Sequence, residues 1–249
     1  MAKSPLILAA LAKSAVPDLQ ITQVTRLHGS QTGLFDSALL TNHDGQRFVV
    51  RIPQTSTAAL ELDVEISVLK ALSPQLRSRL PFRVTNLVGL AADEKKNRVA
   101  IFEYLDGAPI NLRKLSPNSV LAQSVSESIA AIHAIDTKHV AAAGLPEFDS
   151  ATVLRRRIND LDSIAMTGRV SKRLLERWQE ALEDVNMFRF QPRVVHGELS
   201  EDTVLTIDNR VSAILNWGGL HIGDPAEDMF WLAGNYDQEL MDAVRLNYL

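Results

Sequence analysis

The stretch VVHGELSEDTVL, Val194 to Leu205, sets an imidazole, a glycine and a carboxylate side by side as His196, Gly197 and Glu198. Thr203 follows five residues after Glu198, and ILNWGGLHIGDPAED farther on carries Asn216, Asp224 and Asp228. A carboxylate that orients a hydroxyl, with oxygen donors that hold a divalent cation against phosphates, would suit phosphoryl transfer. That reaction demands positioning and charge neutralisation more than covalent chemistry. Upstream, Arg51 lies in the strand-like FVVRIP and Glu65 in the helical stretch after it. Taken alone, Arg51 reads as an edge-strand cation and Glu65 as a solvated helix residue, but order and spacing favour a pair.

These residues need elements to position them. Ile21 to Ile52 alternates apolar and polar letters, with turn signals at His28-Gly29-Ser30 and Asn42-His43-Asp44-Gly45, which describes an antiparallel meander of about three strands. Leu62, Ile66 and Leu69 follow helical spacing, and Pro74 stops that helix. RVAIFEYL, Arg98 to Leu105, has strand character and runs into Asp106-Gly107. Helical patterns dominate beyond it. Ser116-Pro117 is expected to cap a helix whose face is Leu121, Val125, Ile129 and Ile132. A second helix from about Ser171 to Val185 is expected to bury Leu174, Trp178, Leu182 and Val185. RVVHGE, TVLTI and VSAILNW then read as strands, the last two joined at Asp208-Asn209-Arg210 as a hairpin.

The 249 residues, 46% hydrophobic and 22% charged, suffice for a large core in one domain or two lobes. A formal net charge of −4 gives no electrostatic reason to expect nucleic acid or an anionic membrane as partner. There are no cysteines, which excludes disulfides, thiolate metal sites and cysteine nucleophiles. In MAKSPLILAALAKSAVPDL, Lys13 interrupts the apolar run, so a first amphipathic helix ending near Pro17 is a better reading than a signal peptide. No run approaches the roughly 18 apolar residues of a membrane span. A cytoplasmic protein is expected.

FVVRIP, LPFRV, AAIHAI, ERWQEAL, VVHGELSEDTVLTI and GDPAEDM together resemble the aminoglycoside phosphotransferase family, most closely its macrolide phosphotransferase branch. The resemblance covers nearly the whole chain. It implies an α+β, bilobal protein-kinase-like fold, with a small antiparallel β-rich N-lobe over residues 1–106 and a larger, mainly helical C-lobe over 107–249 that holds the catalytic-loop hairpin. It implies ATP or GTP with Mg²⁺ between the lobes and a small-molecule acceptor. Arg51 would stand at the phosphate-side cation position with Glu65 as its helix partner. Glu103, Tyr104 and Leu105 would form the hinge whose backbone binds the base. Gly29 and Gly33 would let the loop Leu27 to Leu34 approach the phosphates, although HGSQTG by itself reads as a hairpin turn. His196 would anchor the catalytic loop, and Asp224 and Asp228 would buttress it.

Three positions depart from the family pattern. The family writes His-Gly-Asp, an Asn or His five residues later, and Ile-Asp-Trp; here those positions read Glu198, Thr203 and Asn216. Glu198 adds a methylene and moves its carboxylate by about 1 Å, a displacement that can reduce a rate about 10²-fold. Thr203 is a shorter oxygen donor than an amide. Asn216 replaces an anionic metal ligand with a neutral one, so magnesium binding should weaken markedly. Glu201 and Asp202 could join Glu198 in an improvised metal site, although acids in a loop are usually solvated. Arg155, Arg156 and Arg157 form a short basic run expected to face water.

The sequence therefore reads as a kinase-like protein with absent or very weak phosphotransfer, acting as a ligand-binding or regulatory pseudokinase. One alternative is an active small-molecule kinase with Glu198 as base. A second is an interaction protein that binds no nucleotide. The family normally continues beyond the position of Leu249 with helices that shape the acceptor pocket, which implies a reduced pocket or one that a protein partner completes.

Overall fold

Ser4, accepting from the Ile7 N–H, and Pro5 at the first helical position start a helix that the sequence pattern anticipates. In the computed structural model, which describes residues 3–27, 34–94, 96–235 and 238–248, this is α1 (Pro5–Ala15). There follow β1 (Ile21–Leu27), β2 (Phe35–Asn42), β3 (Arg47–Pro53), α2 (Ser56–Ala71), α3 (Pro74–Arg77), β4 (Arg83–Val84), β5 (Leu87–Ala92), β6 (Arg98–Glu103) and β7 (Ala108–Pro109). The remainder comprises α4 (Val120–His133), α5 (Thr137–Ala142), α6 (Ser150–Met166), α7 (Lys172–Glu183), β8 (Arg193–Val195), β9 (Val204–Ile207), β10 (Arg210–Ile214), β11 (His221–Gly223), a 3₁₀ segment (Pro225–Asn235) and α8 (Gln238–Tyr248).

Contacts divide the chain into two units, Met1–Ile110 with Glu201–Gly218, and Asn111–Ser200 with Gly219–Leu249. A single cut near Asp106 does not describe this division. β9 pairs with β7 and β10 with β4, so the hairpin they form belongs to the first unit.

The first unit holds a five-stranded antiparallel sheet in the order β1-β2-β3-β6-β5. Its alternation buries Ala38, Leu40, Val50, Ile52, Val99 and Ile101 against Leu8 and Ala12 of α1. α2 buries Leu62, Ile66 and Leu69 as their spacing requires, and Glu65 lies on the same buried side. A smaller sheet, β4-β10-β9-β7, carries the hairpin, whose turn residues Asp208 and Asn209 both have positive φ.

The second unit is mainly helical, with β8 and β11 paired antiparallel. α4 packs on α8 and buries Val125, Ile129 and Ile132. It starts at Val120 rather than at Pro117: Asn118 takes a positive φ in the turn, and Ser119 caps the helix through the Ala122 N–H. The stripe expected to be buried on α7 is also corrected. Leu174, Trp178 and Val185 are exposed and Leu182 is only partly covered. Among the described residues α7 packs chiefly on α6 and the short turn after it, so the helix has amphipathic spacing without a layer to cover it.

Arg77 ties α2 to the strands beyond it. Its Nε donates to the Leu72 carbonyl at 2.7 Å, Nη1 to the Thr85 carbonyl at 2.7 Å and to Asn86 Oδ1 at 2.6 Å, and Nη2 to the Leu69 carbonyl. It thus satisfies carbonyls that the end of α2 would otherwise leave unpaired. Arg77→Met, which keeps the packing stem and removes the donors, should destabilise the protein by about 2–3 kcal/mol in urea denaturation. A loss below about 0.5 kcal/mol would show that water replaces the guanidinium without penalty.

Candidate functional site

The first unit contains a cavity of about 480 Å³. Leu27, Val49, Phe102, Leu105, Leu205 and Leu215 supply apolar wall, and Arg51, Glu65, Glu103, Asp202 and Asn216 supply polar groups. β3 presents Arg51 and α2 presents Glu65, and Arg51 Nη1 donates to Glu65 Oε2 at 2.7 Å. The guanidinium also lies over the Phe35 ring at 4.2 Å from its centroid. The pair that spacing suggested is therefore formed at the wall of a pocket.

The chain from β6 to β7 forms one edge of the same cavity. The Glu103 N–H donates to the Asn86 carbonyl at 2.9 Å, the Glu103 carbonyl accepts from Thr85 Oγ1 at 2.8 Å, and the Tyr104 N–H donates to the Arg47 carbonyl at 3.0 Å. The Glu103 carboxylate is ion-paired with Arg83 and accepts from Asn86 Nδ2 at 2.8 Å. The Leu105 backbone takes part in no hydrogen bond among the described residues, which leaves its N–H and carbonyl for a ligand edge. Gly29 and Gly33 lie outside the described residues.

Asn216 lines this cavity and has φ +60, a left-handed conformation that asparagine tolerates better than most residues. Thr203 is buried, its carbonyl accepting from the Leu215 N–H at 2.9 Å, and it is not among the residues that line the cavity. The expected metal positions thus separate into one at the pocket and one in the packing. No group of three His, Asp or Glu among the described residues is arranged to hold a metal ion.

The second unit holds the His196-Gly197-Glu198 loop. Asp228 is fully buried and accepts from the His196 N–H through Oδ2 and the Gly197 N–H through Oδ1, both at 2.8 Å. His133 Nε2 lies 3.2 Å from Asp228 Oδ2, and His133 Nδ1 lies 2.9 Å from the Tyr248 hydroxyl. A carboxylate can only accept here, so Nε2 carries a proton, and in the neutral ring Nδ1 accepts from the Tyr248 hydroxyl. Burial pushes the Asp228 carboxyl up, but the hydrogen bond from His133, the nearby His196 and the two backbone N–H groups outweigh it and hold its pKa low.

Glu198 is exposed at the end of this loop, and its N–H donates to His196 Nδ1 at 3.2 Å. Gly197 has φ +80, and a Cβ there would come within 2.8 Å of the Gly219 carbonyl. A Cβ at Gly219 would lie 2.8 Å from Glu198 Cγ. Gly219 thus leaves room for the Glu198 side chain at Cγ, a position that an aspartate would fill as well.

Asp224, expected to support the loop, accepts from the Ala226 N–H at 2.9 Å and so caps the start of the 3₁₀ segment. Arg156 and Arg157 do more than face water. Arg156 lies 4.2 Å over the Phe148 ring, and Arg157 pairs with Glu227 at 3.0 Å. His133, Tyr248, His221 and Glu227 were not found from the sequence. His133 lies in the quoted AAIHAI, a signal that could have singled it out.

The sequence pattern of the phosphotransferase enzyme family matches residues 33–249. Viomycin phosphotransferase of Streptomyces vinaceus is 28% identical over 214 residues, covering 80% of this chain and 71% of its own length. Among solved structures, the apoenzyme of a macrolide 2'-phosphotransferase from Brachybacterium faecium superimposes with a TM-score of 0.81 at 22% identity, covering 98% of this chain and 82% of that one. The GDP complex of aminoglycoside 2'-phosphotransferase-IIIa gives 0.80 at 19% identity, covering 99% and 83%. These likenesses show the fold, which is the α+β, protein-kinase-like one.

Beneath the loop, His221 Nδ1 lies 2.7 Å from the Gly219 carbonyl, and Nε2 lies 3.4 Å from Glu227 Oε2, an ion-pair contact rather than a well-aligned hydrogen bond. Burial lowers the His221 pKa, but Glu227, the Gly219 carbonyl and Asp228 outweigh it, and the net shift is upward from 6.5. A group with a raised folded pKa stabilises fully below its unfolded pKa and loses that contribution as pH rises through the folded value. The stability margin of the native chain over His221→Gln should thus be largest at about pH 5.5 and shrink toward about pH 9 in urea denaturation. A margin constant across this range would show that folding leaves the His221 pKa unshifted, and a margin that grows with pH would show that folding lowers it.

Proposed function

Because this chain belongs to the phosphotransferase enzyme family, we propose that it is a kinase-like protein that binds a purine nucleotide-type ligand in the first-unit pocket and transfers phosphate very weakly or not at all. The observation that carries this reading is Asn216. It lines the pocket with a neutral amide where phosphoryl transfer needs an anionic metal ligand, while the Arg51–Glu65 pair nearby is intact. Apolar walls and the open Leu105 backbone groups suit a flat base, and the aminoglycoside phosphotransferase with a similar fold is a GDP complex. A nucleoside triphosphate would supply the transferable phosphoryl group when bound. Arg51 would face its negative charge, and the Leu105 backbone would orient the base. Magnesium does not fit as well, since Asn216 brings no charge and Thr203 lies off the pocket wall. The protein works in this reading as a cytoplasmic ligand-binding or regulatory module.

A second reading has one observation in its favour. Glu198 is exposed at the end of a loop whose path Asp228 fixes through the His196 and Gly197 N–H groups, as an active kinase with a longer base would require. The two readings separate in the variant Glu198→Asp, Thr203→Asn, Asn216→Asp. The native chain should release no ADP above background with hydroxyl acceptors and Mg²⁺, and the triple variant should gain turnover. A native chain that transfers phosphate while Glu198→Gln does not would establish Glu198 as a working base and overturn the pseudokinase reading.

A further inference from the structure

Among the described residues, four charged side chains line the first-unit pocket, and one cation faces three carboxylates. Arg51 is answered by Glu65 at 2.7 Å. Glu103 is answered by Arg83 and by the Asn86 amide. Asp202 is exposed and has no cationic partner among the described residues. The unanswered charge at this pocket is therefore negative, and the neutral Asn216 amide recruits a divalent cation to reverse it less well than a carboxylate would. A polyphosphate entering here gains one already-paired guanidinium and meets an unpaired carboxylate. An uncharged ligand meets no such opposition: its base has the apolar walls and the Leu105 groups, and sugar hydroxyls can donate to an exposed carboxylate.

We propose that the pocket selects an uncharged purine nucleoside over the corresponding nucleoside triphosphate, with Asp202 as the residue that sets this preference. The inference rests on the reading of the pocket as a purine site with disabled transfer. It goes beyond that reading in naming the charge state of the ligand. Repulsion between an exposed carboxylate and a multiply charged polyphosphate a few ångströms away, at an effective dielectric constant of about 20, changes affinity by about tenfold or more.

The test is calorimetric titration of the full chain with adenosine, guanosine, ATP and GTP, in EDTA and again with Mg²⁺. One nucleoside should bind in EDTA about tenfold or more tightly than its own triphosphate. Asp202→Lys, at an exposed position where folding is checked by an unchanged melting temperature without ligand, should reverse that order. A triphosphate that binds in EDTA as tightly as its nucleoside, or an order unchanged in Asp202→Lys, would overturn the proposal and leave the purine site standing. Failure of all four ligands to bind with or without Mg²⁺ would overturn the purine site itself, and the proposal with it.

Discussion

Asp228 is a fully buried carboxylate, and the local structure of its unit follows from the need to satisfy it. Burying such a charge is tolerable only when hydrogen bonds surround it. Two come from consecutive backbone N–H groups, at His196 and Gly197, which fixes the path of the loop as it leaves β8. The third comes from His133 at the end of α4, whose other nitrogen engages Tyr248 of α8. One side chain thereby couples a loop, two helices and a 3₁₀ segment. The loop is held by structural chemistry independent of whether Glu198 does any catalytic work.

The first unit is built on different terms. Its sheet and α1 enclose an apolar core, and the buried polar groups of the unit lie outside that cluster, among them Asp36, Asn42, Glu65, Thr85 and Asp93. Arg51 is held by charge on one side and by an aromatic face on the other, an arrangement that a planar guanidinium suits better than an ammonium. Frame and chemistry can thus diverge: the frame keeps Arg51, Glu65 and Asp228 in place, while the residues that departed from the family pattern are Glu198, Thr203 and Asn216.

What could be read in advance was what repeats or punctuates. The alternation of β1 to β3, the Leu62, Ile66, Leu69 stripe and the Asp208-Asn209 turn are local signals with local causes, and each is realised. The family was legible because six short stretches, each contiguous in sequence, occur together in one order along the chain. The start of α4 was misplaced because Ser116 and Ser119 are both chemically competent caps, and only the turn at Asn118 decides between them. Exposure of α7 was illegible because amphipathic spacing says which face could be buried and nothing about whether a layer exists to cover it. Arg77, Tyr248 and His221 work through partners whose proximity arises only on folding, in the case of Tyr248 and His133 at 115 residues' separation.

Asn216 is one of few residue types at ease with a positive φ, and aspartate is another. The two differ by an amide group against a carboxylate oxygen and share the same shape. The backbone at this position therefore does not discriminate between a chain equipped for metal-assisted chemistry and one that is not. An activity can be silenced or restored at such a site without any accompanying change in fold. Structural resemblance, however close, then carries no record of which state a given sequence occupies.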